Sequence, residues 1–190
     1  MNPRKTLWMP AATLALLSMG CSDPAPTPAA VGLYVSIHPP NTEIPNSNCP
    51  SFGQSDIGNP PPNTNPIDPG TRITDGSGGI DVSCTVKGSK TFSISANIAD
   101  GPEKFRISGG TLDTATGMGT FNVALFTPYT NDLASEADRP CTFDISDAPL
   151  EATPGNLFAR FYCPAIWNRE NATHTACAAD GMVVLEFCEE

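Results

Sequence analysis

The sequence predicts an all-β fold: an antiparallel β-sandwich or jelly-roll-like domain of about eight strands, stapled by disulfides and interrupted by one long Pro-rich loop. Three observations predict it. Apolar and polar residues alternate in short runs, which is typical of strands with one buried face. The 20 prolines and 16 glycines favour turns over long helices. The seven cysteines in 190 residues indicate covalent cross-linking.

The first predicted strand spans residues 31–37, because aliphatic residues occupy every second position from Leu33 to Ile37. Residues 38–78 follow as an irregular loop that holds nine prolines. A loop of this length within a compact domain is usually functional or disordered. Cys49 argues against complete disorder, because a disulfide would attach part of the loop to the domain.

Alternation is clearest between residues 79 and 127, where we predict four consecutive antiparallel strands. Turn sequences separate them at Gly88-Ser89, at Asp100-Gly101-Pro102 and at residues 113–119. Gly109-Gly110 interrupts the third of these strands and predicts a bulge or bend there.

Three further strands are predicted at residues 141–146, 157–163 and 182–188. A short helix is predicted between residues 131 and 138, with Asn131 or Asp132 as its cap. Residues 163–177 show no clear period, so we predict a loop, with or without a helical turn. The residues predicted to form the core are Leu33, Val35, Ile37, Ile80, Val82, Val86, Phe92, Ile94, Ile98, Phe105, Ile107, Phe121, Val123, Leu125, Phe143, Ile145, Phe161, Val183, Leu185 and Phe187.

The N-terminal twenty residues have the composition of an export signal. Arg4 and Lys5 precede an apolar run of thirteen residues, 7–19, which ends at Gly20-Cys21. A basic start, a short apolar region and small residues at a cleavage point are typical of such signals. The run is also shorter than the ~20 residues that a membrane-spanning helix needs.

The segment Leu17-Ser18-Met19-Gly20-Cys21 resembles the lipobox of bacterial lipoproteins, although Leu17 lies one position early and Met19 is larger than the pattern has. The resemblance implies a signal peptide over residues 1–20 and lipid on the sulfur of Cys21. Residues 21–30 would then be a Pro/Ala tether, and residues 31–190 a single domain. The alternative is an ordinary secretory signal, with Cys21 removed or left as a free thiol.

Assigning Cys21 to lipid leaves an even number of cysteines: Cys49, Cys84, Cys141, Cys163, Cys177 and Cys188. In an exported chain six cysteines predict three disulfides, with fifteen possible pairings. Because Cys163 and Cys188 end predicted strands and Cys177 lies between them, we expect these three to form a local knot with one partner elsewhere.

The formal net charge of −10 disfavours nucleic acid, whose binding depends on neutralising phosphates. Cleavage before Cys21 removes two basic residues and no acidic one, which leaves eight against twenty and a net charge of −12. Such a surface also disfavours adhesion to anionic lipid, so we expect membrane contact through the lipid anchor alone. The predicted location is the bacterial cell envelope, periplasmic or at the cell surface.

Motifs for catalysis, metals and cofactors are absent from the sequence. His38 and His174 are predicted to be solvated loop residues, and Glu186 a solvated strand residue. Residues 75–81 and 113–117 have oxygen ligands of the kind that calcium takes, but turn structure is favoured because they offer fewer than six. We therefore predict no catalytic residue, no metal and no cofactor.

Two aromatic residues, Trp167 and Tyr129, fall in predicted loops and are the candidate binding residues, for stacking on carbohydrate or anchoring a protein partner. Alternatively, Trp167 closes one end of the fold. The sequence thus predicts a lipid-anchored, non-enzymatic envelope domain that binds a ligand or has a structural role. The alternative is a secreted hydrolase acting on carbohydrate, which would need carboxylates or a histidine converging in a pocket.

Overall fold

The computed structural model describes residues 25–40, 49, 54–57, 72–127, 131–168 and 176–190. These residues form β-strands and their connections, with no helix among them, so the all-β prediction is confirmed. The twelve strands are β1 (Ala30–His38), β2 (Gln54–Ile57), β3 (Ile73–Thr74), β4 (Ile80–Gly88), β5 (Thr91–Asp100), β6 (Glu103–Asp113), β7 (Met118–Thr127), β8 (Asn131–Ser135), β9 (Cys141–Asp144), β10 (Glu151–Thr153), β11 (Asn156–Asn168) and β12 (Ala176–Glu186).

All twelve strands belong to one hydrogen-bonded sheet with antiparallel pairing. The main order is β2-β1-β12-β11-β8-β7-β6-β5-β4, with β3 on β1, β10 on β11 and β9 bridging β7 and β11. The number of strands exceeds the predicted eight, and a division into two stacked sheets is not confirmed.

The β4 edge of the sheet is met by the C-terminal residues. The Val86 backbone N–H donates to the Glu189 carbonyl at 2.9 Å, and the Glu189 N–H donates to the Cys84 carbonyl at 3.0 Å. The Gly155 N–H, in the β10–β11 turn, donates to the Val86 carbonyl at 3.0 Å. The sheet therefore curls until its last strand meets the segments next to β11 and β12.

The inner face of this curled sheet holds the core. All but two of the predicted core residues are buried. Phe143 lies in the middle of an aromatic group, with its ring centroid 4.8 Å from that of Phe121 and 5.6 Å from that of Phe161. Of the two exceptions, Ile145 is only partly buried, while Phe187 is 54% exposed, so its predicted core position is wrong.

The exposure of Phe187 has a backbone cause. Its φ of 56° lies in the left-handed region, which reverses the strand alternation immediately after β12. Cys188 points inward instead and bonds to Cys84. Alternation predicts side-chain direction only while the chain stays extended.

The predicted helix at residues 131–138 is wrong, because this segment contains β8. A helix of eight residues has little stability alone. As a strand, β8 pairs with β7 on one side and with β11 on the other. Leu133 and Ala134 are buried there, and the buried Ser135 hydroxyl accepts a hydrogen bond from the Val123 N–H at 2.8 Å.

The predicted loop at residues 163–177 is also wrong over its described part, because β11 continues to Asn168 and β12 begins at Ala176. The pairing of β11 with β12 shifts register between Cys163 and Ile166, which interrupts the period that sequence reading relies on. The irregular segment 38–78 likewise contains β2 and β3, both of which pair with β1.

Three disulfides connect the described cysteines: Cys49–Cys177, Cys84–Cys188 and Cys141–Cys163, at sequence separations of 128, 104 and 22. Three bonds were predicted, but the local knot of Cys163, Cys177 and Cys188 is wrong. Each of these cysteines pairs with an earlier one: Cys141 lies on β9, which pairs with β11, and Cys84 lies on β4, which the curled sheet brings to the C-terminal residues. Cys49 does attach the long loop to the domain, as expected. Cys21 lies outside the described residues.

Candidate functional site

A row of side chains crosses the outer face of the sheet from β4 to β7. Ser83, Asn97, Arg106 and Ala124 are successive cross-strand partners. The inward neighbours of these residues are buried, so alternation sends this row toward solvent. With about 4.8 Å between strands, the row extends roughly 14 Å across the sheet.

The larger of two adjoining concavities lies over the β4 end of this row. It has a volume of about 610 Å³, which falls within the range of roughly 300–1,000 Å³ typical of ligand sites. Four parts of the chain line it: the N-terminal segment at Pro26 and Thr27, Asp75 in the turn before β4, residues of β4 to β6, and the C-terminal residues Phe187 and Glu189.

The smaller concavity, of about 390 Å³, continues toward β7 and is lined by Lys104, Phe126 and Asp132. Asn97 and Arg106 line both concavities and therefore join them. We call the two together the polar groove. Its side chains include hydroxyls, the amide of Asn97 and charges of both signs around two aromatic rings.

Phe187 is the exposed ring of the larger concavity, and its backbone is fixed on both sides. Its N–H donates to the Asn156 Oδ1 at 3.3 Å, and the next N–H, of Cys188, donates to the Gly155 carbonyl at 2.9 Å. The Cys84–Cys188 disulfide adds a covalent attachment one residue later. The ring is thus carried on a fixed turn.

The carboxylate of Asp75, which lines the same concavity, already has a structural role. Its Oδ1 accepts a hydrogen bond from the Val82 N–H at 2.8 Å. In the second loop considered for calcium, the Asp113 Oδ1 accepts from the Ala115 N–H at 2.8 Å. Both loops are turns closed by their own aspartates. Over the described part of the chain, no three His, Cys, Asp or Glu side chains are grouped as a metal site would require.

His38 is the last residue of β1 rather than a loop residue. Its Nε2 lies 2.9 Å from the Asp180 Oδ1, and its Nδ1 lies 2.9 Å from the Pro39 carbonyl oxygen. A general base needs a ring nitrogen that faces the nucleophile. Both nitrogens of His38 instead face acceptors within the domain. His174 lies outside the described residues.

Asp180 lines a third concavity, of about 400 Å³, together with Tyr162, Arg160 and Asp144. The pKa of Asp144 is lowered, chiefly by the hydrogen bond with the Ser146 side chain and then by the Ser146 N–H; burial opposes this by raising the pKa, and the charge of Arg160 adds a lesser lowering. The Ser146 N–H donates to the Asp144 Oδ1 at 2.7 Å. A lowered pKa suits a turn carboxylate that is ionised at neutral pH, whereas a general acid needs a raised one.

We expect Ser146→Ala to raise the pKa of Asp144 toward its ordinary value of 3.8. Since the folded-state pKa lies below the unfolded one, the carboxylate stabilises the fold above about pH 4, and this contribution is lost as the pH falls through the folded pKa. The substitution should lower the free energy of unfolding at pH 7 by up to about 1 kcal/mol, reduced by solvent screening, and the difference should vanish in strong acid.

Urea unfolding at pH 7 and below pH 3, with an NMR titration of Asp144, measures this effect. Ser93→Ala is the matched control, because Ser93 is exposed on the outer face of β5 and lines neither part of the polar groove. An unchanged Asp144 titration in Ser146→Ala would contradict the assignment of the main cause.

The aromatic residues predicted as binding candidates are not in the polar groove. Trp167 lies within β11, opposite Ala176 of β12 and Ala134 of β8, and is partly buried. Its predicted loop position is wrong because β11 is longer than expected, and its role in binding stays a prediction. Tyr129 lies outside the described residues. Glu186, predicted to be solvated, is partly buried and pairs with Arg72 at 2.7 Å.

Sequence reading missed the residues that the structure brings together in the polar groove. Alternation does place Asn97 and Arg106 on the outer face. Nothing in the sequence near these two residues shows that the N-terminal and C-terminal ends of the domain lie beside them. No protein-family model, curated protein or solved structure matches this chain. Within the described ranges, no helix is long and apolar enough to cross a membrane.

Proposed function

We propose that this chain is an exported, lipid-anchored protein of the bacterial cell envelope, whose domain binds a ligand or serves structure without catalysis. The observation that carries the proposal is the set of three disulfides. Disulfides persist in oxidising compartments and are rare in the cytoplasm, so three of them are consistent with a protein outside it.

The cysteine inventory supports lipid at Cys21. Six of the seven cysteines are paired with each other, and Cys21 is the one in the lipobox-like segment. The first strand begins at Ala30, nine residues after Cys21, so only a short tether would separate the anchor from the domain. The acidic net charge disfavours contact between the domain and anionic headgroups, so membrane contact is expected at the anchor alone.

The environments of the three groups best placed for catalysis support a non-catalytic role. The ring nitrogens of His38 face acceptors, the pKa of Asp144 is lowered, and Asp75 holds a turn. Hydrolysis of carbohydrate is the second candidate, because Asp75 and Glu189 both line the larger concavity and a glycosidase needs two carboxylates. Release of reducing ends from oligosaccharides would establish it.

Cys21→Ser is expected to abolish lipidation and to move the protein from the membrane fraction to the aqueous one, because the anchor supplies all the expected membrane affinity. Intact mass spectrometry reports the result. The mature wild type should lack residues 1–20, carry lipid, and be six hydrogens lighter unreduced than reduced.

Pro24→Ala, which changes the tether and leaves the cysteine, is the matched control and should remain lipidated. A purified wild type that retains residues 1–20 with an unmodified Cys21 thiol would contradict the proposed anchoring.

A further inference from the structure

We propose that the polar groove is an oligosaccharide-binding site in which the ring of Phe187 is the stacking platform. The inference rests on the proposed function, since it gives the binding domain a ligand class and a place to hold it. Three independent features of the groove support it: the fixed exposed ring, the chemistry of the floor and the shape of the cleft.

The first feature is that the fold maintains Phe187 in an unfavourable state. A left-handed φ is a true outlier for a bulky residue, and strain of this kind concentrates at ligand sites. Glycine would adopt the same backbone without strain and would expose no apolar ring. Instead the turn carries a phenyl ring that is 54% exposed in a concavity. The negative face of such a ring attracts the weakly positive C–H groups along one face of a sugar.

The second feature is the floor beside this ring. Ser83, Thr85, Ser95 and Ser108 supply hydroxyls, and Asn97 supplies an amide. Each of these groups both donates and accepts hydrogen bonds, as sugar hydroxyls do. They are short side chains on strands, so their positions are fixed by the sheet.

Arg106 stands in the middle of the groove, at the junction of its two parts. No salt bridge joins it to another described residue, and its guanidinium offers five N–H donors to a ligand in the groove. These donors suit sugar hydroxyls, and a carboxylate on an acidic sugar would add a charge-assisted bond.

The third feature is the length of the groove. The row from Ser83 to Ala124 spans roughly 14 Å, and the two concavities lie along it. A cleft that crosses several strands fits a chain of sugars rather than a single one.

A peptide fits this cleft less well. Extended peptides bind by adding a strand to a free sheet edge. The β4 edge beside the groove already bonds to Glu189 and Gly155 through its own backbone groups.

The test uses the full mature protein in detergent on an array of neutral, N-acetylated and uronate-containing oligosaccharides, followed by calorimetric titration of the best ligand. The wild type should bind, and Phe187→Ala and Phe187→Gly should each weaken binding at least tenfold. Phe187→Trp should retain binding, because it keeps a stacking face. Tyr162→Ala, which removes an exposed ring from the third concavity, is the matched control and should bind like the wild type.

Phe187→Gly separates loss of the ligand contact from loss of the fold. Because glycine accepts a φ of 56° freely, this variant should melt within about 3 °C of the wild type or above it while losing the ligand. The loss of binding would then be due to one side chain, with the fold intact.

Failure to bind any oligosaccharide overturns the inference, as does undiminished binding by Phe187→Gly or loss of binding in Tyr162→Ala. None of these results bears on the lipid anchor, which the mass spectra of the same samples report separately. Cleavage of the bound oligosaccharide would overturn the non-catalytic role and leave the site in place.

Discussion

Removing the Cys84–Cys188 disulfide with the double substitution Cys84→Ala/Cys188→Ala is expected to lower the free energy of unfolding by about 4–5 kcal/mol. The bond closes a loop of 104 residues, and restricting a loop of that length in the unfolded chain contributes about 4.7 kcal/mol in the chain-entropy description. Urea unfolding under non-reducing conditions measures the loss. The double substitution avoids leaving a free thiol.

The same substitution should also weaken ligand binding, because the disulfide holds the C-terminal residues against β4. Glu189 pairs with Thr85 across this closure, and Phe187 precedes the bonded cysteine. Binding that survives intact in the folded fraction of the variant would show that the backbone hydrogen bonds alone fix the groove.

Cys141→Ala/Cys163→Ala is the matched control, since it removes the same atoms from two buried sites that join β9 to β11. Its loop is 22 residues, for which the same relation gives about 3.3 kcal/mol. We therefore expect the control to retain about 1.4 kcal/mol more stability. Equal losses in the two variants would contradict loop closure as the source of the difference.

Sequence patterning predicted β4 to β7 well because each of these strands has one buried face and one solvent-exposed face. The aliphatic residues from Ile80 to Leu125 alternate accordingly and are buried. The bend predicted at Gly109-Gly110 is also confirmed, since the pairing of β6 with β7 shifts register between Ser108 and Thr111. The local pattern and the final environment agree along these strands.

Patterning failed where a strand is buried on both faces. β12 begins with Ala176, Cys177, Ala178 and Ala179, all fully buried, so its first half shows no alternation. A second apolar cluster of Leu150, Phe158 and Val184 covers the outer face of its other half. Burial on two sides removes the polar positions by which a strand is recognised.

The candidate site could not be predicted because it depends on contacts between distant parts of the chain. Fifteen pairings of six cysteines are equally compatible with the sequence. The pairing of Cys188 with Cys84 follows from curling of the whole sheet, and that closure carries Phe187 to the row through Asn97 and Arg106. The left-handed turn that exposes the ring has no local signature, because it occurs at a phenylalanine rather than a glycine.

Phe143→Ala is expected to lower the free energy of unfolding by about 3–5 kcal/mol, the usual cost of emptying a buried aromatic site. Phe143 is fully buried and contacts two other rings, Phe121 in an edge arrangement at 4.8 Å and Phe161 in a stacked one at 5.6 Å. Because Phe161 also contacts Phe105 at 5.5 Å, the cavity would open within a connected aromatic group.

Phe158→Ala is the comparison, since Phe158 belongs to the small outer cluster with Leu150 and Val184, where solvent and neighbouring side chains can fill the space. We expect a smaller loss there, because the cost of truncation rises with the volume that cannot collapse. Urea unfolding of both variants under the same buffer conditions decides the matter. A loss at Phe143 no larger than that at Phe158 would mean that the aromatic group is not the centre of the core. A double-mutant cycle of Phe143→Leu and Phe161→Leu measures what the ring contact adds to burial. We expect a coupling free energy of about 0.5–1.5 kcal/mol between the two rings.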